Sequence, residues 1–141
     1  MFAAIRIRGN IGIDVNIRKT LDMLRLYNQH NCVFVKNNPK MKGMLVKVKD
    51  YITWGEVDSD TMKLISEKKG EEYKGPTEDK SKKINYSNKF IEFNGKKLKH
   101  VFRLNPPKGG FEKKGIKTSY AAGGALGYRG QDINVLLKKM I

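Results

Sequence analysis

Glycine and proline are concentrated between residues 102 and 130, and this glycine-rich segment limits the possible folds most because no long helix or strand can run through it. It contains seven glycines, two prolines and six basic residues but a single acid, Glu112. Glycine lets backbone approach a ligand closely, and Pro106 and Pro107 favour an extended path. The composition predicts a strand end followed by an extended loop that lies on a polyanion. A solvated linker is the alternative, but linkers seldom interleave aromatic and basic residues so regularly.

The whole chain is strongly basic, with 29 Lys and Arg against 14 Asp and Glu and a net charge of +15 at pH 7. Such a charge favours a polyanionic partner. Cys32 is the single cysteine, so no internal disulfide can form and a reducing compartment is expected. Charge at Arg6 and Arg8 argues against a secretory leader, and no apolar run could span a bilayer. We expect a cytoplasmic protein of one domain, or one domain with an extension.

Three strands separated by helices are predicted in the first 57 residues. Residues 2–8 alternate between apolar and basic side chains, as a strand does. Apolar residues at helical spacing then predict an amphipathic helix that is capped by Asp14 and reaches about Tyr27. The apolar run at 32–35 predicts a buried strand, which completes a strand–helix–strand unit of the βαβ type. Residues 53–57 are predicted to form the third strand.

Residues 39–52 fit both a strand and a helix, because MLVKVK alternates while its apolar residues also recur on one helical face. We favour a helix, since Pro39 suits its first turn and the opposite face then carries only lysines. Such a face is often merely solvated, but the net charge makes contact with a polyanion an equal alternative. The lysines of this face are Lys40, Lys42, Lys47 and Lys49. A further helix follows Asp58 or Ser59 and ends at Gly70.

Residues 71–83 are polar and rich in turn formers, so a loop or hinge is predicted there. Beyond it, Asn94-Gly95 favours a type I′ turn and hence a hairpin over 90–104; a short helix over 88–93 is the alternative. A strand over 101–104 and an amphipathic helix over 131–141 complete the chain. We divide it into a core with its following helix (1–70), a variable insertion (71–100) and a basic extension with a terminal helix (101–141).

The sequence offers no converging set of catalytic or metal-binding side chains. His30 and His100 lack a second ligand at helical spacing, and one cysteine cannot complete a zinc site. Cys32 lies in an apolar strand, where a thiol packs as a small hydrophobe. Residues 110–118 misplace the lysine of a phosphate-binding loop, and helix capping explains the acids between 56 and 60. We assign no catalytic residue, metal or cofactor, and we do not predict an enzyme.

Five motifs follow one another along the chain: IRIRGNIG, TLDMLRLYNQHNCVFV, KGMLVKVKDYITWGEV, VFRLNPPKGGFEKKGIKTSYAAGGALGYRG and DINVLLKKMI. Together they resemble the family of large-subunit ribosomal protein thirty, in its long archaeal and eukaryotic form, whose eukaryotic counterpart is numbered seven. The resemblance covers nearly the whole chain outside residues 71–99. The ordered set, which ends in the proline-proline-basic-glycine-glycine block and GGALGYRG, is highly specific.

The resemblance implies an α+β fold: a small βαβαβ ferredoxin-like core, with helices packed on a three-stranded sheet, plus an extended basic C-terminal segment that ends in a helix. It also implies a structural constituent of the large ribosomal subunit that binds 23S-type rRNA near the 5S rRNA. Its partners would be other large-subunit ribosomal proteins, with no membrane and no small-molecule substrate, and it would be a monomer within the cytoplasmic ribosome. Likeness to archaeal members suggests an archaeal source. Relatives usually carry a longer and more helical insertion than residues 77–98 provide.

The rRNA contacts are expected mainly at phosphates, because Lys and Arg replace condensed counterions there and A-form RNA is recognised by shape and backbone. Tyr120 or Tyr128 would at most stack on an unpaired base. The glycine-rich segment is expected to be mobile in the free protein, since its few apolar groups cannot offset the entropy of ordering. The expected contact residues are Arg6, Arg8, Lys40, Lys42, Lys49, Arg103, Lys108, Gly109, Gly110, Lys113, Lys114, Lys117, Tyr120, Tyr128 and Arg129.

Overall fold

The computed structural model describes residues 1–141 and contains four α-helices and seven strands. The helices are α1 (Val15–Met23), α2 (Pro39–Lys47), α3 (Ser59–Lys69) and α4 (Ile133–Met140). The strands are β1 (Phe2–Arg6), β2 (Asn31–Val35), β3 (Ile52–Glu56), β4 (Phe90–Phe93), β5 (Lys96–Lys99), β6 (Val101–Arg103) and β7 (Gly127–Tyr128). Short 3₁₀ turns lie at Ser87–Lys89, Tyr120–Ala122 and Gly130–Asp132. The α+β class predicted from the sequence is confirmed.

Five of the strands form one sheet in the order β6-β2-β1-β3-β7, while β4 and β5 form a separate hairpin. At its centre, β1 is antiparallel to both β2 and β3, so the strand–helix–strand order here joins antiparallel neighbours. The predicted three-stranded sheet is the middle of a larger one, because β6 adds antiparallel to β2 and β7 adds parallel to β3. Both edge strands come from residues 101–141, which therefore share the sheet of residues 1–70.

The central strand β1 is buried along its whole length because helices cover both faces of the sheet. One face, which includes Phe2 and Ala4, packs against α1 and α2. The other, which includes Ala3 and Ile5, packs with residues of α3 and α4. Since successive strand residues point to opposite faces, β1 contributes to two separate cores. The result is a three-layer arrangement of helices, sheet and helices.

Local signals in the sequence explain where α1 and α2 begin. The Asp14 carboxylate accepts hydrogen bonds from two backbone amides of the first turn of α1, at 3.0 and 3.4 Å, which caps that helix. Pro39 is the first residue of α2, a position where the missing amide hydrogen costs nothing. The helical interpretation of residues 39–52 is therefore confirmed over the observed helix, although both helices end earlier than predicted.

The turn between β4 and β5 follows from two residues. Asn94 and Gly95 have φ angles of 48° and 75°, as a type I′ turn requires at both central positions. The predicted hairpin is confirmed over β4 and β5, but it ends at Lys99 and not at residue 104, because residues 101–103 form β6 and pair with β2. The alternative helix is limited to the short 3₁₀ turn Ser87–Lys89 that precedes β4.

The glycine-rich segment folds back onto the sheet instead of extending away from it. Ala125 and Leu126 are buried against Ile7 at the end of β1. Backbone hydrogen bonds also hold the segment to itself, for example from Ala125 N–H to Gly115 O at 3.1 Å. The segment has little regular structure, as composition predicts, but its path lies against the sheet because Ala125 and Leu126 form a small apolar cluster with Ile7. Burial of that cluster opposes the mobility that composition alone predicts.

The contact between β3 and the glycine-rich segment gives a test of this packing. A Cβ atom at Gly55 would collide with the carbonyl oxygen of Gly130. We expect Gly55→Ala to lower the free energy of unfolding by about 1–3 kcal/mol, since backbone must shift to make room. Gly43→Ala in α2 is the matched control: its Cβ has no atom within 4 Å, so stability should rise by about 0.5–1 kcal/mol. Equal urea midpoints for the two variants would contradict the close approach.

The reactivity of the Cys32 thiol provides a test of the burial of β2. It is fully buried, and this burial raises the pKa of its thiol to about 12 from an ordinary value of 9.0. Because the thiolate is the reactive form, we expect Cys32 to resist iodoacetamide at pH 8 until urea unfolds the chain. Above pH 9.0 the unfolded thiol ionises while the native one does not, so stability should fall as the pH rises further. If mass spectrometry detected alkylated Cys32 in the native protein, the burial of this residue would be contradicted.

Candidate nucleic-acid interface

Most of the expected contact residues lie on the surface, but two of the arginines are buried. Arg8 and Tyr120 are half-buried, whereas Arg6 and Arg129 are inside the protein. The exposed ones are Lys40, Lys42, Lys49, Arg103, Lys108, Gly109, Gly110, Lys113, Lys114, Lys117 and Tyr128.

Helix α2 presents lysines to solvent because its apolar residues face the sheet. Leu45 is fully buried. The exposed lysines of the helix are Lys40, Lys42 and Lys47, and Lys49, two residues after its end, is exposed as well. Arg8 lies at the carboxyl end of the helix, where its guanidinium donates a hydrogen bond to Asp50 O at 3.4 Å. The same guanidinium lies 5.1 Å from the centroid of the Tyr51 ring. The structure therefore brings Arg8 next to Asp50, the residue that follows Lys49.

Two clefts join the α2 region to the glycine-rich segment. Lys49, Asp50 and Lys117 line one of them, with a volume of about 130 Å³. Lys42 and Tyr128 line the other, with a volume of about 300 Å³. We call the combined area the cationic surface. It consists of the cleft-lining Lys42, Lys49, Lys117 and Tyr128, of Arg8, which donates to Asp50 O, and of the other exposed lysines of the same two segments, Lys40, Lys47, Lys113 and Lys114.

Gly109 and Gly110 form a turn beside the carboxyl end of α4. Their φ angles are 81° and 77°, and Gly110 N–H donates to Pro107 O at 3.0 Å. Lys108 N–H donates to Lys139 O, also at 3.0 Å. The Gly110 amide is already used within the turn, so a ligand here would meet side chains: the exposed Lys108, and Lys139, which lines the adjoining cleft together with Glu112 and Asp132. Sequence reasoning missed Lys139, since only the packing of α4 brings it to Lys108.

Arg6 is buried and binds backbone within the fold. Its guanidinium donates to the carbonyl oxygens of Leu26, Tyr27, Arg8 and Gly9, at 2.7, 2.8, 2.9 and 3.0 Å. These bonds hold two loops together at the end of β1. A guanidinium occupied in this way has no free side to offer a phosphate, so we leave Arg6 out of the proposed contacts.

Arg129 is also buried, with 2% of its side chain exposed. It donates to Thr53 Oγ1 at 2.8 Å and to Ala125 O at 2.9 Å, and lies 3.4 Å from the Glu112 carboxylate. Its guanidinium is 4.5 Å from the centroid of the Tyr120 ring. Burial lowers the pKa of Arg129, and the Glu112 charge opposes this shift. Arg129 ties the glycine-rich segment to β3, so we also leave it out of the proposed contacts.

Both candidate stacking tyrosines bind a carboxylate through the hydroxyl. Tyr120 donates to Asp132 Oδ2 at 2.6 Å, and Tyr128 donates to the Glu56 oxygens at 2.7 Å. These hydrogen bonds raise the pKa of each phenol, so both keep their protons. Tyr128 is 52% exposed and its ring lies 6.2 Å from that of Trp54, whereas a guanidinium already covers Tyr120. Tyr128 is therefore the better placed of the two to stack on a base.

Few of the basic side chains are neutralised within the protein. Ion pairs within 4.0 Å join Glu71 to Lys99 and Arg103, and Glu112 to Arg129. Arg103 lies on β6, at the sheet edge opposite β7, so it is not brought together with the cationic surface. The lysines of that surface have no carboxylate partner within this distance. Uncompensated charges of one sign attract a polyanion.

No metal site and no membrane-spanning helix is found in the structure. No three His, Cys, Asp or Glu side chains are close enough to share a metal ion. The helices are too short and too polar to cross a membrane. His30 stacks on Phe111 with 6.1 Å between ring centroids, and its buried Nδ1 has no hydrogen-bond partner.

Comparison with known proteins identifies similar chains along the full length. Residues 2–52 match the family described as ribosomal protein L30p/L7e. A protein from Methanopyrus kandleri, named large ribosomal subunit protein uL30, is 41% identical over 95% of this chain and 99% of its own length. Proteins of the same name from Methanosphaera stadtmanae and Thermoplasma acidophilum are 43% and 41% identical, over 100% of this chain and 100% and 93% of their own lengths. The similarity thus includes the cationic surface and the glycine-rich segment.

The burial of Arg129 leads to a prediction for the isolated protein. We expect Arg129→Ala to lower the free energy of unfolding by about 2–4 kcal/mol, because Thr53 Oγ1 and Ala125 O would be left without their buried partner. Lys117→Ala is the matched control, since it removes an exposed charge from the same segment and should leave stability near that of the wild type. Thermal unfolding without RNA measures both. An unchanged Tm for Arg129→Ala would make this residue a candidate for rRNA binding again.

Proposed function

Because the chain belongs to the family of large ribosomal subunit proteins uL30, described also as ribosomal protein L30p/L7e, we propose that its cationic surface binds 23S-type rRNA. The protein is a constituent of the large ribosomal subunit and not an enzyme. In this proposal it acts in the cytoplasm, as a monomer within the ribosome, with other large-subunit proteins as neighbours. A position near the 5S rRNA is part of the proposal and rests on the resemblance of the sequence motifs alone.

The distribution of charge is the observation that carries the proposal. The lysines of the cationic surface come from two parts of the chain that are far apart in sequence. One cleft brings Lys49 together with Lys117, and the other places Lys42 beside Tyr128. None of these lysines is paired with a carboxylate. In a chain of net charge +15, such an arrangement is costly without a polyanion to face it.

The proposed mechanism of binding is release of counterions. Each lysine that reaches a phosphate displaces condensed cations, so affinity falls as salt concentration rises. A-form grooves are read mainly by shape and through phosphate and 2′-hydroxyl groups, which suits long, flexible lysine side chains. Lys108 and Lys139 would add a second phosphate contact beside the turn at Gly109 and Gly110.

A free-standing regulator that binds RNA or DNA is the second candidate function, since it would use the same surface. The full-length similarity to proteins named for the large subunit favours the ribosomal role. Sedimentation of the protein with large subunits in high salt separates the two, because a regulator would be washed from the particle.

Charge reversal on the cationic surface tests the proposal. We expect the triple variant of Lys49, Lys113 and Lys117 to Glu to fold normally but to bind large-subunit rRNA much more weakly and to enter subunits poorly. The slope of log affinity against log salt should become shallower by about 0.7–0.9 for each phosphate that the variant no longer neutralises. Filter binding across a salt series and assembly of subunits from purified components measure the two effects.

A variant with the same change of net charge controls for general electrostatics. Lys63 and Lys68 of α3, together with Lys74, are exposed lysines outside the cationic surface. Reversing these three to Glu should weaken binding far less. If both triple variants showed the same drop in affinity and the same salt slope, the proposed surface would be wrong.

A further inference from the structure

We infer that the groove beside Tyr128 binds the Watson–Crick edge of one unpaired guanine of the rRNA. This inference rests on the proposed function and goes beyond it, because it names one base and the edge that is read, on a surface to which we have so far assigned only backbone contacts and stacking by Tyr128. The groove has a volume of about 300 Å³ and is lined by Phe2, Lys42, Val46, Trp54, Glu56 and Tyr128.

The sheet register explains why these side chains share one face. Trp54 and Glu56 are two residues apart on β3, so both point to the same side. Tyr128 of β7 is paired with Trp54 in parallel register, and Phe2 of β1 is paired with Glu56. Val46 and Lys42, on α2, complete the groove. The site is therefore built on strands and a helix, not on a free loop.

Glu56 is the unexpected member of this group. A carboxylate repels phosphate, so at this place among lysines it favours an occupant that donates hydrogen bonds and can displace the Tyr128 hydroxyl from Glu56. In the free protein the Tyr128 hydroxyl lies 2.7 Å from both Glu56 oxygens, so both oxygens face the groove. Among RNA bases only guanine has two adjacent donors on its Watson–Crick edge, the N1–H and N2–H₂ groups, which match a carboxylate in bidentate fashion.

The aromatic side chains supply the second half of the site. Tyr128 is 52% exposed, and its ring lies 6.2 Å from that of Trp54 at an angle of 50°. An exposed aromatic face stacks on an unpaired base. The Lys42 ammonium, 5.6 Å from the centroid of Phe2, lies at the rim, where it would meet O6 of guanine or an adjacent phosphate.

An arginine from a neighbouring protein is the rival occupant, because a guanidinium also binds a carboxylate above an aromatic ring. One observation and the proposed function favour the base. Lys42 lines the same groove and would repel a second cation. The groove also lies between α2 and the glycine-rich segment, within the cationic surface that we propose to face rRNA.

Chemical probing of rRNA tests the inference with the full-length protein. Kethoxal modifies N1 and N2 of unpaired guanines, the two positions that Glu56 would cover. We expect wild-type protein, bound to deproteinised large-subunit rRNA, to reduce the reactivity of one guanine about tenfold. Glu56→Gln should restore that reactivity while the hydroxyl-radical footprint of the backbone persists, because glutamine keeps the shape but offers one acceptor.

Variants of Tyr128 distinguish the stacking of its ring on the base from the hydrogen bonding of its hydroxyl to Glu56. Tyr128→Phe should keep the guanine protected, since the ring remains and the hydroxyl that competes for Glu56 is gone. Tyr128→Ala should abolish the protection. The Tm values of all three variants establish whether they fold. If Glu56→Gln does not fold, the comparison of Tyr128→Phe with Tyr128→Ala tests the guanine site in its place.

The outcomes distinguish this inference from the proposed function. A persistent backbone footprint with no guanine protected, or with protection equal in wild type and Glu56→Gln, overturns the guanine site and leaves rRNA binding intact. Protection of an adenine from dimethyl sulfate by the Tyr128 groove, or a crosslink from the groove to an arginine of another ribosomal protein, overturns it as well. Disappearance of every footprint would overturn both.

Discussion

The buried guanidinium of Arg129 connects the two halves of the protein. It donates to Thr53 on β3 and to Ala125 within the glycine-rich segment, and so fixes that segment against the sheet. Arg6 does the same for the loops that flank β1. Carbonyl groups in irregular backbone need donors when they are buried, and a planar guanidinium satisfies several of them at once. The surface lysines hold their positions because these internal bonds hold the backbone beneath them.

Arginine and lysine thus have different tasks in this chain. The two buried arginines bind fixed carbonyl and hydroxyl oxygens, whereas the cationic surface is made almost entirely of lysines. A lysine is a flexible point charge that can follow a phosphate without a strict geometry. This division is consistent with binding that depends on charge and shape. Two carboxylates also line the clefts, Asp50 beside Lys49 and Lys117, and Glu56 beside Lys42.

Much of the fold could be predicted from periodicity and turn chemistry. The helix at Pro39 and the hairpin at Asn94-Gly95 each follow from local residues. The edge strand β7 could not be predicted, because two residues have no period and its position depends on β3. The burial of Arg6 and Arg129 could not be predicted either, because a sequence shows a charge but not the carbonyl groups that surround it in the fold. For the candidate site, exposure of the lysines followed from the helical pattern, while the meeting of Lys49 with Lys117 needed the tertiary structure.

The hairpin of β4 and β5 belongs to a unit of residues 71–99 that is not paired with the main sheet. The first and last residues of this unit lie side by side. Lys99 N–H donates to Glu71 O at 2.9 Å, and Tyr73 N–H donates to Lys97 O at 2.7 Å. The chain therefore enters and leaves this unit at one place, with the exposed Asn94-Gly95 turn at its far end. A Cβ atom at Gly95 would meet no other atom within 4 Å, so a short epitope inserted at that turn would leave the main sheet and the lysine-lined clefts in place, which makes it a natural handle for affinity purification of the protein.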